Sequence, residues 1–523
     1  QVPPQVLQYL SSATLNASLS EGAKILVCTS SGAGTSGDIN VLDNVKGVGN
    51  ATLTLQAHRN IVMTNTSISA ADGKTLNVSL YSNFNNSGNG SVALSNATIS
   101  TNGGNLTISG AVQPDQSWAS TNVSNGTGIS LSNGTRLTTK GGDVNLRGAT
   151  SSTLAAGSTA TAITISNSTI DAGGGNISLT ALQASSTGTG DAFVLTGGSK
   201  LLTAGAGSIT VDSTNLGSGN GTRIFSTSNT IAASGSGNVT LRGSAVSGSG
   251  VLVCSTAATS AQTLSVGDGT LTIEGNSGSG RGVFIASSGT GTVTLNAARG
   301  GDIFIDGSSD GDAGTTLNST GTGSVINVST ASGDITLNGR AGPASSAAGL
   351  SIRSGASGPG NGVNILSGSG DISLQGTAQG SGAGIAFSAT NAKGYNNVMT
   401  GAGGNITLNG SGGGAALSFD HGNNLLQVAD GLLRLDLDTP SANYITHTDD
   451  VTTLTASGNG AVLISRGGLI HNGLLETASE PTRQYQQAQA VGGAWSQPLA
   501  PDYHLTAMGS AADEVNIDVV QTR

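Results

Sequence analysis

One recurring pattern limits what this chain can fold into. SVALSNATISTNGGNLTISG (Ser91–Gly110) holds three short apolar-alternating pieces, Val92–Leu94, Ala97–Ile99 and Leu106–Ile108. A polar corner at Ser95–Asn96 separates the first two, and a glycine corner at Gly103–Gly104 separates the last two. Variants of the pattern follow at Leu131–Gly148, Ile165–Ala181 and Ser226–Gly243. The third piece gives the cleanest register. Its first apolar residues are Leu76, Leu106, Val144, Ile177, Ile209, Val239, Leu271, Ile303, Ile335, Ile372 and Ile406. They recur at roughly 32 residues, inside the range of about 20–50 that marks solenoids and arrays. Asn or Asp usually stands just before (Asn105, Asp143, Asn176, Asn238, Asp302, Asp334, Asp371, Asn405), and glycine usually stands before that.

Three alternating pieces per repeat predict three short strands, each apolar on one face. A single turn of chain cannot bury that face. Turns stacked about 4.8 Å apart close each strand against its copies as parallel sheets. Corner glycines are expected to supply positive φ, and corner Asn or Asp to tolerate left-handed geometry and bond nearby backbone. The expected fold is therefore all-β, a parallel β-helix solenoid with three short strands per rung. Leu15 and Leu19 lie four apart, Ser11 or Ser12 can cap, and Gly22 can stop the turn, which predicts a short N-terminal capping helix over 12–20, covering the open first rung. Residues 1–36 then form an N-terminal cap, 37–478 the repeats, and 479–523 a non-repeat C-terminal cap or docking tail. Ala111–Asn125 (with Trp118), Ser185–Gly190, Arg340–Ala347 and Asn391–Asn397 (with Tyr395) read as loops outside the core.

Composition supports a thin core. Aromatic residues are 3% and charged residues 9% of the chain, while Gly accounts for 83 of 523 residues, so stacked Val, Ile, Leu and Ala must do the packing. The net charge of −10 comes without a basic cluster, which makes nucleic acid a poor partner. No apolar run reaches the ~18 residues that mark a membrane span. Gln1–Val6 is polar and carries proline rather than a signal peptide, so the chain is expected to start after processing or inside a longer precursor. Cys28 and Cys254 are far apart in a fold whose repeats touch only neighbours, and are expected to be two buried free thiols.

The stretch SSATLNASLSEGAKILVCTSS, then GDINVL, then NATLTLQAHRNIVMTNTSISAADGKTLNVSLYS, resembles the repeat region of filamentous-haemagglutinin-like large exoproteins. The resemblance covers roughly residues 10–470 and is strongest over 10–180. It implies a right-handed parallel β-helix, secretion through an outer-membrane transporter by the two-partner route of Gram-negative bacteria, and a place outside the cell or on its surface. Many members of that family are adhesins, and some contribute to biofilm. The family's N-terminal secretion domain, with its Asn-Pro-Asn signatures, has no counterpart in this sequence.

Four constellations bear on chemistry. Asn-X-Ser/Thr sequons at Asn65, Asn96, Asn133 and Asn167 are candidates for glycosylation, but all four share one corner, where a stacked asparagine ladder accounts for them without sugar. Asp306, Asp310 and Asp312 are a weak calcium candidate: they lack the terminal Glu of an EF-hand and the nonapeptide of calcium-binding β-rolls, and a solvated turn accounts for them. β-Helix lyases and hydrolases need clustered carboxylates with Arg, Lys or His on one outer face, whereas charged residues here are scattered and the five histidines form no metal spacing. The chain is thus expected not to be an enzyme and to need no cofactor. Trp118, Tyr485, Trp495 and Tyr503 are the candidate partner contacts, because aromatics in loops and tail suit carbohydrate or protein surfaces. The expected function is a secreted surface adhesin or structural protein that presents a rigid rod to a receptor or carbohydrate. The alternatives are a filament subunit joined end to end through residues 1–30 and 479–523, and, below it, a carbohydrate-active enzyme.

Overall fold

In the computed structural model, described residues are 9–29, 37–84, 89–110, 117–256, 260–355, 361–390 and 394–439, together with short strands at 445–448, 451–457, 461–466, 469–471, 503–508 and 517–521. Helix is confined, among these, to α1 (Ser12–Ser18), and nearly everything else regular is strand. The chain divides into two units, 1–248 and 249–523. Each unit is a β-solenoid with three strands per rung and three parallel sheets. The sheets are numbered here by the three pieces of the repeat.

In the first unit, the rung read from the sequence is present as Val92–Ser95, Thr98–Ser100 and Leu106–Gly110. Each strand lies parallel to its copy in the next rung: Leu94 faces Leu131, Ile99 faces Leu137, and Ile108 faces Leu146. The side chains alternate, so Val78, Ile108, Leu146, Leu179 and Val211 point inward and are almost wholly buried. Burying each such side chain contributes about 1.5–3 kcal/mol. The second unit repeats the arrangement with Ile305, Leu337, Leu374 and Leu408 in sheet three. Its larger interior side chains include Phe387 and Phe419, stacked with centroids 5.4 Å apart.

The third-strand register holds from Leu106 to Val239 and from Leu271 to Ile406, but its first step differs. Leu106 pairs with Val78, not with Leu76. The slip is two residues, the one small shift that preserves in–out alternation, so Leu76 stays buried.

The two corners work differently from each other. At the first, Asn65, Asn96, Asn133 and Asn167 all adopt left-handed backbone, with φ between 46° and 55°. At the second, the repeated glycine is not there for its φ. Gly104, Gly142, Gly175 and Gly207 have ordinary φ, but the backbone carbonyl of the rung below would meet an added Cβ at 2.0–2.3 Å. The same holds in the second unit, where Gly333 and Gly370 would each meet a glycine oxygen at 2.0 Å. The expectation of positive φ applies one or two residues earlier, at Gly103 (99°), Gly141 (114°) and Gly173 (68°). What the recurring glycine provides is close backbone approach.

The Asn or Asp that follows carries the next link. Its side-chain oxygen accepts the N–H of the equivalent residue one rung on: Asn77 from Asn105 (2.9 Å), Asn105 from Asp143 (2.9 Å), Asp143 from Asn176 (2.8 Å) and Asn176 from Ser208 (3.0 Å). In the second unit the chain runs Asp302, Asp334, Asp371 and Asn405, each step 2.8 Å. Thr101, Thr139, Thr330 and Thr400 close the corner from inside by donating to the glycine carbonyl of their own rung. Backbone groups that the turn leaves unpaired are thereby satisfied.

The N-terminal helix forms with Ser11 as N-cap, its hydroxyl accepting from Thr14 N–H. Leu15 and Leu19 are buried, and the Leu19 carbonyl accepts from both Val48 and Gly49. The helix packs beside Val45–Gly47, at the second-sheet side of the first rung. It does not cover the whole rung: Ile25 and Val27, on the inward face of Lys24–Cys28, the outermost described strand of sheet three in this unit, stay half-buried. Leu26 and Cys28 take the outward face of that strand, opposite Thr54 and Gln56, and Leu26 is 58% exposed. Cys28 is therefore exposed, against expectation, while Cys254 is buried; both are free thiols.

Candidate functional site

Trp118 does not stand on a free loop. Residues 111–116 of the expected insertion lie outside the described residues, but Ala119–Thr121 is a strand paired with Gly148–Thr150 in sheet three. That pairing seats Trp118 beside the strand Val144–Thr150. The Arg147 guanidinium lies 4.3 Å from the centre of the indole, and the Trp118 carbonyl accepts weakly from Asn83 Nδ2 at 3.4 Å. The ring is half-buried and stacked with a cation, which fixes its orientation. Tyr395, expected in a loop, instead opens the strand Tyr395–Ala402, paired with Asn423–Ala429. Tyr485 and Trp495 lie outside the described residues. Tyr503 begins a strand antiparallel to Val451–Ser457, and the side chain is likewise outside them.

The candidate sequons form only part of the expected ladder. Asn96 Nδ2 donates to Asn65 Oδ1 at 2.8 Å, while Asn133 Nδ2 donates to the Ser95 hydroxyl at 2.8 Å and not to another asparagine. Two of the four nitrogens that a sugar would modify, those of Asn96 and Asn133, are thus engaged by neighbouring rungs.

The three aspartates do not converge. Asp306 points outward from sheet three between Glu274 and Asn338 on the adjacent strands. Burial raises its carboxyl pKa above the ordinary value, the Glu274 charge raises it further, and a hydrogen bond from Asn338 partly offsets both. Asp310 and Asp312 lie beyond the end of that strand, where Asp312 faces Arg281 at 3.6 Å. Among the described residues no three His, Cys, Asp or Glu side chains gather as a metal-binding group.

A concavity lies elsewhere, on the outer face of sheet one in the second unit, with a volume of about 310 Å³. Two outward rows, set by strand register, form its floor. One runs Thr316, Ser351, Ala386, Ser418, and the other Asn318, Arg353, Ser388, Asp420. Apart from Arg353 and Asp420 these side chains are small or short, and that makes the depression. Arg281, Asp312 and the turn Ser346–Ala348 form a wall. Arg281 lies 4.0 Å above the Phe284 ring and beside Asp312, so ring and ion pair hold the wall in place. Two floor oxygens, Thr316 Oγ1 and Asn318 Oδ1, are buried and have no hydrogen-bond partner among the described residues. Thr316 is only 5% exposed.

Sequence reading missed this groove for a definite reason. Its residues come from strands whose spacing varies, because the intervening turns differ in length. Only the register places Ser351 beside Ala386 and Arg353 beside Ser388. The usable signal was a run of small residues at one outward strand-one position, legible once the rungs are aligned. In comparisons with known proteins, no family model and no curated protein matches the chain.

Proposed function

We propose that this chain is a surface-exposed structural or adhesive protein, working by binding and presentation and not by catalysis. The observation that supports the reading is the outer surface. In each unit the same outward strand positions recur in register and carry short polar side chains, such as Thr107, Asn145 and Ser178 in the first unit and Thr336, Ser373 and Thr407 in the second. A surface built from repeated, near-equivalent positions suits many weak contacts, whose combined strength exceeds that of any one. The resemblance to filamentous-haemagglutinin-like exoproteins adds secretion by the two-partner route and an extracellular place in a Gram-negative bacterium.

The test is adhesion. Beads coated with the purified chain should bind epithelial cells or an established biofilm matrix more than beads coated with a β-helix lyase of similar charge. Equal retention of both would refute the adhesive reading. A screen of polysaccharides that found turnover abolished by one Asp or Glu substitution would refute the non-catalytic one.

A filament subunit is the second reading, favoured by one observation. Among the described residues Lys24–Cys28 pairs on one side only, with Ala51–Gln56, and Leu26, Leu42 and Val48 are exposed near that end of the first unit. An open strand edge with apolar neighbours is a site for joining another chain. Electron microscopy of purified protein separates the readings: ordered fibres support the filament, and isolated particles at all concentrations refute it.

A further inference from the structure

We infer that the groove on the outer face of sheet one in the second unit binds a saccharide bearing a single carboxylate, of the uronic-acid class. The inference rests on the adhesive reading for its biological sense, but its chemistry comes from the groove alone. A volume of 310 Å³ matches the lower end of ligand-binding clefts, about 300 Å³, and suits a short oligosaccharide segment.

The lining selects the chemistry. Thr316 Oγ1 and Asn318 Oδ1 are buried on the floor without partners. An amide oxygen can only accept, so whatever completes Asn318 must donate. A buried polar group left unsatisfied is costly, and a ligand hydroxyl removes that cost. Ser351, Ser388 and Ser418 add further short hydroxyls along the floor. A ligand rich in hydroxyls meets these needs, and an apolar one does not.

Charge narrows the class. Arg353 stands exposed in the second floor row and makes no ion pair among the described residues. Its planar fork matches a carboxylate in two parallel hydrogen bonds. Arg281 differs, because Asp312 lies beside it. Asp312 and Asp420 also line the groove, so a densely charged polyanion meets repulsion at both. One carboxylate opposite Arg353, with neutral hydroxyls on either side, satisfies all of these groups. Arg281 lies over one face of the Phe284 ring and closes that face to a stacking nucleobase.

Titration calorimetry on the full chain tests the inference with three probes: cellobiouronate (a glucuronate linked to a neutral glucose, one carboxylate), the neutral disaccharide cellobiose, and a trisulfated heparin disaccharide. Cellobiouronate is expected to bind at least tenfold more tightly than either of the others. Arg353→Ala is expected to weaken cellobiouronate binding roughly tenfold or more, the scale of a lost charge-assisted pair. Ser388→Tyr, an outward substitution that fills the groove, should abolish binding while the circular dichroism spectrum is retained. Equal binding of cellobiose, preference for the sulfated probe, absence of cellobiouronate binding, or indifference to both substitutions overturns the inference. These measurements are made in solution without cells, so their failure is separable from failure of the bead-adhesion test.

Discussion

The glycine run Gly173–Gly174–Gly175 tests the account of the second corner, because its three members differ in what they do. Gly174 has ordinary φ and open space around a hypothetical Cβ. Gly175 also has ordinary φ, but its Cβ would meet the Gly142 carbonyl oxygen at 2.1 Å. Real Cβ contacts essentially never fall below 3.0 Å. The two rungs must therefore part locally by roughly 0.9 Å. The links at that point are Asn176 N–H to Asp143 Oδ1 and Val144 N–H to Asn176 carbonyl, both 2.8 Å. Parting the rungs takes both to about 3.7 Å, beyond hydrogen-bond range. Loss of two such bonds, one of them to a charged acceptor, gives an expected cost for Gly175→Ala of about 2–4 kcal/mol. Gly174→Ala should be neutral, or stabilising by about 0.4–1 kcal/mol through the unfolded chain. Urea unfolding of each variant, with hydrogen exchange at Asn176 as a local probe, measures the difference. If Gly175→Ala comes within about 0.5 kcal/mol of Gly174→Ala, inter-rung contact is not why glycine recurs, and the reasoning fails.

Further outcomes follow from other parts of the structure. Asn96, at φ 47°, should lose about 1 kcal/mol on change to Ala and little on change to Gly, by urea midpoint, since the left-handed backbone penalises a Cβ that lacks a local polar partner. The raised carboxyl of Asp306 makes the folded chain hold its proton above the ordinary carboxylate value. Stability should fall as pH rises through that window, and Asp306→Asn should remove the fall in a pH series of thermal melts. Asp38 has the opposite sign. Burial works against its charge, but the Arg59 guanidinium and the Asn60 N–H outweigh it and hold the carboxyl below its ordinary value. Its contribution is present above the unfolded value and lost as pH falls through the folded one, so Asp38→Asn should flatten the acid limb of the same series. Intact mass of protein from its native source should show no sugar on Asn96 or Asn133, whose side-chain nitrogens already donate to Asn65 and Ser95.

The rung was legible because its signals are local. Alternation of apolar residues over four to six positions names a strand and its buried face, and a glycine or asparagine between two such runs names a corner. Leu106, Val144 and Ile177 could be aligned by eye, and the structure pairs them so. The reason for the recurring glycine was not legible. Positive φ and close approach leave the same letter in the sequence, and only the position of the next rung separates them. The Asn and Asp ladder was half legible: the residues stood out, but their acceptor role belongs to a neighbour roughly 32 positions away.

The sequence by itself determined the all-β class, the three-strand rung and the short N-terminal helix, since each follows from residue type and short-range spacing. Tertiary structure decided the two-residue slip at Leu76, the exposure of Cys28, the stacking of Trp118 under Arg147 and the groove around Arg353. All four depend on how one rung lies on the next. Turns of unequal length hide that relation in the one-dimensional chain. Backbone hydrogen bonding between parallel strands, which tolerates only even shifts when one face must stay buried, restores it.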